Sequence, residues 1–193
     1  MMEEAELLKL LKTGDQAGYE TLVKQFSRKV FNTCLSILQN TEDAEDTTQE
    51  VFIEVFQSFK NFKGESKLST WIYRIAVTKS LDHLRKKNRK KRFGFVQSLF
   101  GNEKDEPTIE IPNFHHPGIQ LENKERAAIL FAAINKLPEN QKTAFVLHKI
   151  EDLSYTEVAD VMQVSLSSVE SLMFRAKQSL QRLLGDYYEK NER

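Results

Sequence analysis

The sequence has a single cysteine, Cys34, and only four histidines in 193 residues. One cysteine cannot form an internal disulfide bond, and the scattered histidines show no ligand spacing typical of a structural zinc site. No window reaches about 18 apolar residues, and no basic segment precedes an apolar run as in a secretion signal. We therefore expect a cytoplasmic protein that needs no metal or other cofactor and has no direct insertion into a membrane.

The chain also lacks an excess of either charge, because 28 lysines and arginines balance 28 aspartates and glutamates. A polyanionic partner must therefore be argued from where the charges lie. Residues 1–92 hold 17 basic and 13 acidic side chains, residues 93–123 hold one and five, and residues 124–193 hold ten of each. The first segment is most basic at its end, in residues 85–92, and the middle segment is acidic.

Proline and glycine are scarce outside one segment. Three of the four prolines and three of the seven glycines lie in residues 93–119, where helical periodicity fails. On either side, apolar residues recur at intervals of three and four, as in helices that face a core. We predict an all-α fold of two small helical domains, residues 1–92 and 121–193, joined by a flexible linker of residues 93–120.

The same periodicity predicts four helices in each domain. Gly14 would end the first helix, and Thr41 would cap the third. Cys34 falls in the apolar stripe of the second helix, so we expect a small core side chain and not a nucleophile. The expected helices are residues 3–12, 16–38, 42–59 and about 68–89, then 121–137, 140–150, about 155–163 and about 166–184.

The third helix combines a core stripe, in which we place Phe56 and Phe59, with a row of acids spaced four apart. Four like charges in a row repel each other. The row is either a solvated face or a docking stripe for a basic partner. Its members are Glu42, Asp46, Glu50 and Glu54.

Aromatic and basic side chains occur together in residues 58–92. Phe62 and Trp71 flank a glycine-containing break, after which Ser66 or Ser69 can cap the fourth helix. Trp71 is either exposed on the basic face of that helix or half-buried between helices. Because aromatic rings stack on bases and cations bind phosphates, the segment suits a protein that binds single strands or phosphates.

The second domain contains a helix-turn-helix pattern. Ser154 and Glu157 form a capping box for a short helix, and Ser165 can cap the helix that follows a tight turn. In such motifs the N-terminal part of the second helix enters the DNA major groove. The alternative is a short helical pair that does not contact DNA.

Two runs together resemble one protein family. They are DAEDTTQEVFIEVFQSFKNFKGESKLSTWIYRIAV at residues 43–77 and LPENQKTAFVLHKIEDLSYTEVADVMQVSLSSVESLMFRAK at residues 137–177. In this order they resemble the two conserved domains of the extracytoplasmic-function sigma factors. The resemblance implies a bacterial initiation subunit, with sigma region 2 in residues 1–92 and sigma region 4 in residues 121–193.

The resemblance also implies partners and site residues. The chain would bind core RNA polymerase, recognise and help to melt the minus-ten promoter element with region 2, and bind the minus-thirty-five element with region 4. Docking on core polymerase would use Asp46, Gln49, Glu50 and Ile53. The minus-ten DNA would contact Phe62, Lys67, Ser69, Trp71, Arg74, Thr78, Asp82 and Arg85, with phosphate contacts from Lys86, Lys87, Arg89 and Lys90. The minus-thirty-five DNA would contact Ser167, Ser168, Glu170, Ser171, Phe174 and Arg175.

The chain departs from the family pattern at three positions. Many relatives carry asparagine where this chain has Thr78, and arginines where it has Glu170 and Leu172, so the promoter sequence is not predicted. The resemblance further implies control by an anti-sigma factor, often membrane-anchored, that wedges between the domains. It also implies a linker that threads into the polymerase, where the acids Glu103, Asp105, Glu106 and Glu110 would suit a basic channel.

Two other classes of protein are alternatives. A stand-alone helix-turn-helix regulator would bind duplex DNA unaided and would have no use for an aromatic and basic melting face. A nucleic-acid-processing enzyme would need a paired acidic metal site, a phosphate-binding glycine loop or a nucleophile with its base, and the sequence shows no such set. We therefore expect a protein that is not an enzyme.

Overall fold

The structure is a computed structural model that describes residues 4–97 and 124–191, with side chains described for residues 4–89, 125–185 and 187. Its described residues form helices and no strand, which confirms the predicted all-α fold. None of these helices is long and apolar enough to span a membrane. The first domain contains α1 (Glu4–Thr13), α2 (Gln16–Leu38), α3 (Thr41–Ser58), a 3-10 turn (Phe59–Asn61) and α4 (Leu68–Gln97). The second contains α5 (Lys124–Asn135), α6 (Glu139–Lys149), α7 (Tyr155–Met162) and α8 (Leu166–Asn191).

Local sequence signals explain most of the helix ends in the first domain. Gly14 has a φ of +73° and ends α1 as predicted, with its N–H donating to the carbonyl of Leu11 at 3.1 Å. The predicted cap of α3 is wrong by one residue. Asn40 has an extended backbone and accepts the N–H of Asp43 at 2.8 Å, whereas Thr41 is already the first helical residue.

The start of α4 depends on a residue far away in the sequence. The Leu68 N–H donates to the Glu4 carboxylate at 2.9 Å. This acid takes the capping role that we assigned to Ser66 or Ser69, and Ser69 lies inside the helix. At its other end α4 continues to Gln97, beyond the predicted end and into the predicted linker. The remaining linker, with its acidic residues, lies outside the described residues.

The core of the first domain is built by α1 to α4. Fully buried side chains include Leu22, Val51 and Ile72, and Cys34 is buried among them, as the sequence predicted. A β-carbon on Gly18 would lie 2.8 Å from the Leu10 β-carbon, so glycine allows α1 and α2 to approach closely. The result is a packed domain whose α3 and α4 carry the predicted functional faces outward.

The second domain packs directly against the first. Its core, formed by α5 to α8, also includes Ile37, Tyr73 and Val77 from α2 and α4. The Gln39 side-chain amide donates to the carbonyl of Phe131 at 2.8 Å in a buried position. The sequence left the domain orientation open, and the structure shows a closed arrangement.

The helix-turn-helix of the second domain forms as predicted. Ser154 and Glu157 complete a capping box at α7, and the Ser168 N–H donates to Ser165 Oγ at 3.2 Å at the start of α8. Gln163 takes the left-handed conformation that ends α7 (φ +55°). These caps fix the angle at which α8 leaves the turn.

Candidate nucleic-acid interface

The outer face of α3 carries the predicted docking residues. Three polar side chains are exposed there, and Ile53 beside them is 56% exposed. Acidic charge and exposed apolar surface therefore lie next to each other on one helix, which is a composition suited to a basic partner that also exposes apolar surface. The polar members are Asp46, Gln49 and Glu50.

Phe56 belongs to this face and not to the core, which corrects the sequence prediction. Its side chain is 61% exposed, whereas Val55 and Phe59 occupy the inward positions on either side. The ring packs on Tyr19 of α2, with the centroids 4.6 Å apart. Its exposure enlarges the apolar part of the α3 face by one turn beyond Ile53.

An aromatic cluster connects the end of α3 with α4. The ring of Phe59 is buried, and those of Phe62 and Trp71 lie 5.8 and 5.9 Å from it. Phe62 and Trp71 are 5.2 Å apart. Trp71 is therefore half-buried between helices and not exposed on the basic face, which decides between the two positions that the sequence left open. Its contacts hold the segment between α3 and α4 in place.

A cleft of about 510 Å³ opens beside this cluster. The first domain supplies most of its lining, including both partly exposed aromatic rings. The second domain contributes Asp160 and Gln163 from the end of α7. The lining residues of the first domain are Asn61, Phe62, Lys63, Glu65, Ser66, Trp71 and Arg74.

Three of the predicted minus-ten cations are bound to the second domain. The Lys67 ammonium lies 3.0 Å from the Glu157 carboxylate, and this hydrogen bond is the main reason why the pKa of Glu157 falls to about 2. The Arg74 guanidinium donates to the carbonyl oxygen of Asp160 at 2.7 Å. Arg85 lies 3.1 Å from a carboxylate oxygen of Glu139. In this closed arrangement, residues of the second domain bind the cations that we assigned to promoter DNA.

The rest of the basic face has mixed surroundings. Thr78 is exposed, but its hydroxyl donates to the Arg74 carbonyl at 2.8 Å. Asp82 lies 3.3 Å from Arg85. Ser69 is half-buried, Lys86 and Arg89 are exposed, and the Lys90 side chain lies outside the described residues.

Lys87 is tied to the start of α3. It pairs with Asp43, which also lies 3.1 Å from His83. Although partial burial opposes ionisation, the hydrogen bond and charge of Lys87 and the charge of His83 hold the pKa of Asp43 below its ordinary value. The sequence suggested Lys87 for phosphate contact and missed its pairing with Asp43.

The start of α8 presents the predicted minus-thirty-five residues. Phe174 is 63% exposed, and the Arg175 guanidinium Nε donates to the Ser171 carbonyl at 3.2 Å. Only Ser168 is half-buried, since it takes part in the cap of α8. An exposed ring beside hydroxyls and one arginine can contact thymine methyl groups, base edges and phosphates. The exposed members are Ser167, Glu170, Ser171, Phe174 and Arg175.

Sequence reasoning missed the polar residues at the domain interface. Gln39 and Glu151 each place a side chain against the other domain. Lys142, in the second domain, is buried and donates to the Asn135 side chain at 2.7 Å; burial lowers its pKa to about 8. No local pattern marks such residues, because a polar side chain between two apolar positions is usually exposed.

Two family models match the chain. Sigma-70 region 2 matches residues 22–90, and Sigma-70, region 4 matches residues 127–180. The RNA polymerase sigma-H factor of Pseudomonas aeruginosa is 29% identical over 182 residues, which are 94% of this chain and 94% of that protein. The ECF RNA polymerase sigma factor SigW of Bacillus subtilis is 29% identical over 185 residues, 93% of this chain and 95% of that protein.

The fold is similar to solved structures. CnrH, solved in complex with the cytosolic domain of CnrY, has a TM-score of 0.68 and 20% identity, and the match covers 95% of this chain and 97% of that chain. The sigma factor RpoE from Bartonella quintana, solved with the anti-sigma factor NepR, has a TM-score of 0.61 and 20% identity, with 86% and 96% covered. These similarities support the helical fold and its order of elements.

Proposed function

The chain belongs to the extracytoplasmic-function family of RNA polymerase sigma factors, and we propose that it binds core RNA polymerase and directs transcription initiation at specific promoters. The observation that supports this most is the combination of three faces in one chain. An acidic and apolar face lies on α3, an aromatic and basic face on α4, and a helix-turn-helix in the second domain. A sigma factor needs all three.

We propose that the α3 face docks on core polymerase. Its apolar residues Ile53 and Phe56 would be buried in the complex, and Asp46 and Glu50 would meet a basic surface. Buried aromatic side chains carry much of the energy of protein interfaces, whereas charges at the rim mainly affect association rate and specificity. Phe56 would therefore contribute more to affinity than any one of the acids.

The aromatic and basic face of α4 would stabilise the melted minus-ten element. Stacking on an aromatic side chain is worth about 1 to 3 kcal/mol per base, and one DNA base step is worth about 1.4 kcal/mol. Stacking on the partly exposed rings of Phe62 and Trp71 would thus be comparable in energy to one or two base steps. The neighbouring cations Lys67 and Arg74 would hold the strand by its phosphates.

The minus-thirty-five element would be contacted by the start of α8. Phe174 and Arg175 are placed for the major groove, and Ser167 and Ser171 offer hydroxyls that bond to bases or phosphates. Glu170 would accept a hydrogen bond from a cytosine amino group. These roles follow from the position of a recognition helix within the motif.

Promoter binding would require the two domains to separate. In the closed arrangement Lys67, Arg74 and Arg85 contact region 4, and α7 covers one side of the cleft beside Trp71. A strand cannot use these cations and the cleft while region 4 remains there. Core polymerase, which would bind the two domains at different places, would supply the energy for separation.

Regulation by an anti-sigma factor fits the same geometry. CnrH was solved with the cytosolic domain of CnrY, and RpoE of Bartonella quintana with the anti-sigma factor NepR. We propose that this chain, too, is held inactive by an anti-sigma factor. It would have no enzymatic activity of its own, and it would act in the cytoplasm, where core polymerase and promoters are found.

Reconstitution tests the proposal. Purified chain and core RNA polymerase are mixed with fragmented genomic DNA, and transcripts are sequenced. We expect transcripts with defined 5′ ends that require both proteins. The double variant Asp46→Lys, Glu50→Lys should abolish them, and the matched variant Glu20→Lys, Glu125→Lys should not. Tight binding of duplex DNA by the chain alone, without transcripts at any promoter, would instead indicate a stand-alone regulator.

A further inference from the structure

A half-buried glutamate lies where the two domains meet. Glu151 follows α6 in the second domain, and its Oε2 accepts a hydrogen bond from the hydroxyl of Tyr73 on α4 at 3.4 Å. Tyr73 is itself buried, whereas Glu151 is half-buried. The other oxygen, Oε1, is buried and has no hydrogen-bonding partner in the described part of the chain. A carboxylate in this position carries an incompletely solvated charge.

The Thr33 hydroxyl on α2 already donates its proton to another acceptor. Thr33 lies within reach of the Glu151 carboxyl, but its hydroxyl donates to the Lys29 carbonyl at 2.9 Å. The Thr33 oxygen can therefore accept a hydrogen bond but has no proton left to give. A protonated Glu151 could donate to it while still accepting from Tyr73, so a carboxylic acid fits these neighbours better than a carboxylate.

The charged neighbours do not reverse this preference. Burial raises the pKa of Glu151 to about 7, against the opposing effects of the Tyr73 hydrogen bond and of the Lys29 charge. The charge of Asp152, next to it in its own turn, raises the pKa further.

The Cys34 thiol and the Tyr73 phenol at this place remain neutral near pH 7. Burial raises the pKa of the Cys34 thiol on α2 to about 11. Burial also raises the pKa of Tyr73, and so do the charges of Glu151 and of Glu157 on α7. Glu151 is therefore the group here that changes its charge near neutral pH.

We propose that Glu151 is a proton-dependent latch between the two domains, which holds region 4 against region 2 when it is neutral and releases it when it is ionised. Only the consequence of opening rests on the proposed function: release of region 4 would free the cations and the cleft that we assign to promoter DNA. The closing of the domains itself can be measured without DNA or polymerase.

The direction of the pH dependence follows from where the proton binds more tightly. Glu151 holds its proton with a pKa of about 7 in the closed form and with its ordinary value of 4.5 once the domains separate and water reaches it. The closed form is therefore favoured at low pH and loses stability as the pH rises from 4.5 through 7, levelling off above that. Between pH 6 and pH 8 the ratio of closed to open molecules should fall about tenfold.

Energy transfer between two dyes on the full-length chain tests the latch. Lys24→Cys on α2 and Gln181→Cys on α8 place one exposed thiol in each domain, and buried Cys34 should resist labelling. Single-molecule measurements at pH 6, 7 and 8 give the ratio of closed to open molecules. Glu151→Gln copies the neutral acid in shape and hydrogen bonding. Glu125→Gln, the same change at an exposed position of the second domain, is the matched control.

We expect the closed-to-open ratio of the wild-type sequence and of Glu125→Gln to fall about tenfold between pH 6 and pH 8. Glu151→Gln should remain closed and lose that dependence. Any other titrating group contributes equally to all three proteins, so the difference isolates Glu151. The latch is refuted if the wild-type ratio does not change with pH, or if Glu151→Gln shows the same change. Circular dichroism at each pH verifies that all variants are folded.

Discussion

Replacing Gln39 by asparagine would test whether the domain contact competes with promoter binding. The Gln39 amide donates across the interface to the Phe131 carbonyl at 2.8 Å, and the residue is buried. Its backbone has a φ of +53°, at the position that ends α2. Asparagine tolerates this conformation well but is one methylene shorter. The variant therefore removes the contact between domains and keeps the helix end.

The size of the effect follows from the buried hydrogen bond. Loss of one partner in a buried pair costs about 1 to 3 kcal/mol, and 1.4 kcal/mol corresponds to a factor of ten. The ratio of closed to open molecules should therefore fall by about 5- to 150-fold. As long as the closed form predominates, the apparent affinity for a ligand of the open form rises by the same factor.

Fluorescence anisotropy with a labelled single strand measures that affinity. The strand carries the non-template minus-ten sequence of a promoter identified by reconstitution, and the free chain is titrated into it. Gln25→Asn, the same change at an exposed position of α2, is the control and should bind as the unaltered chain does. Equal affinities for Gln39→Asn and Gln25→Asn would refute the argument that region 4 obstructs the strand-binding face.

Three further substitutions test single features of the structure. Phe56→Ser should weaken binding to core polymerase by about five- to thirtyfold because it removes an exposed anchor, whereas equal binding would remove Phe56 from the interface. The melting temperature should fall only slightly, through loss of the contact with Tyr19. Trp71→Ala should slow open-complex formation, and normal opening rates would refute the role of Trp71 at the strand. The variant should also lower the melting temperature, because the Trp71 ring packs on the rings of Phe59 and Phe62. Gly18→Ala should lower the melting temperature by about 2 to 4 °C, because overpacking against Leu10 outweighs the better helix propensity of alanine, and a higher melting temperature would contradict this.

The sequence predicts those parts of the fold that depend on local signals. Apolar periodicity located the helices, and the capping box at Ser154 located the helix-turn-helix. Gly14 was predicted to end α1 because few other residues adopt a positive φ there without strain. Asn40 and Thr41 are adjacent and both suitable caps, so sequence alone could not choose between them.

Features that depend on distant contacts were not predictable in this way. Glu4 meets the start of α4 across 64 residues, and Gln39 meets Phe131 across 92. Phe56 has the spacing of a core residue, and only the packing of Val55 and Phe59 shows that the core has no place for it. The interface between the two domains is formed by contacts of this kind, between residues far apart in the sequence. Such contacts leave no periodic signal in the sequence.

The central claim, that this chain opens promoters together with core RNA polymerase, is tested most directly by permanganate reactivity of thymines in a promoter duplex. Permanganate oxidises thymines that have become unstacked, so it reports strand opening before any RNA is made. We predict reactive thymines in the minus-ten region when chain and core polymerase are both present, and none with either protein alone. A duplex that remains unreactive with both proteins, although each is folded and they bind one another, would contradict the claim.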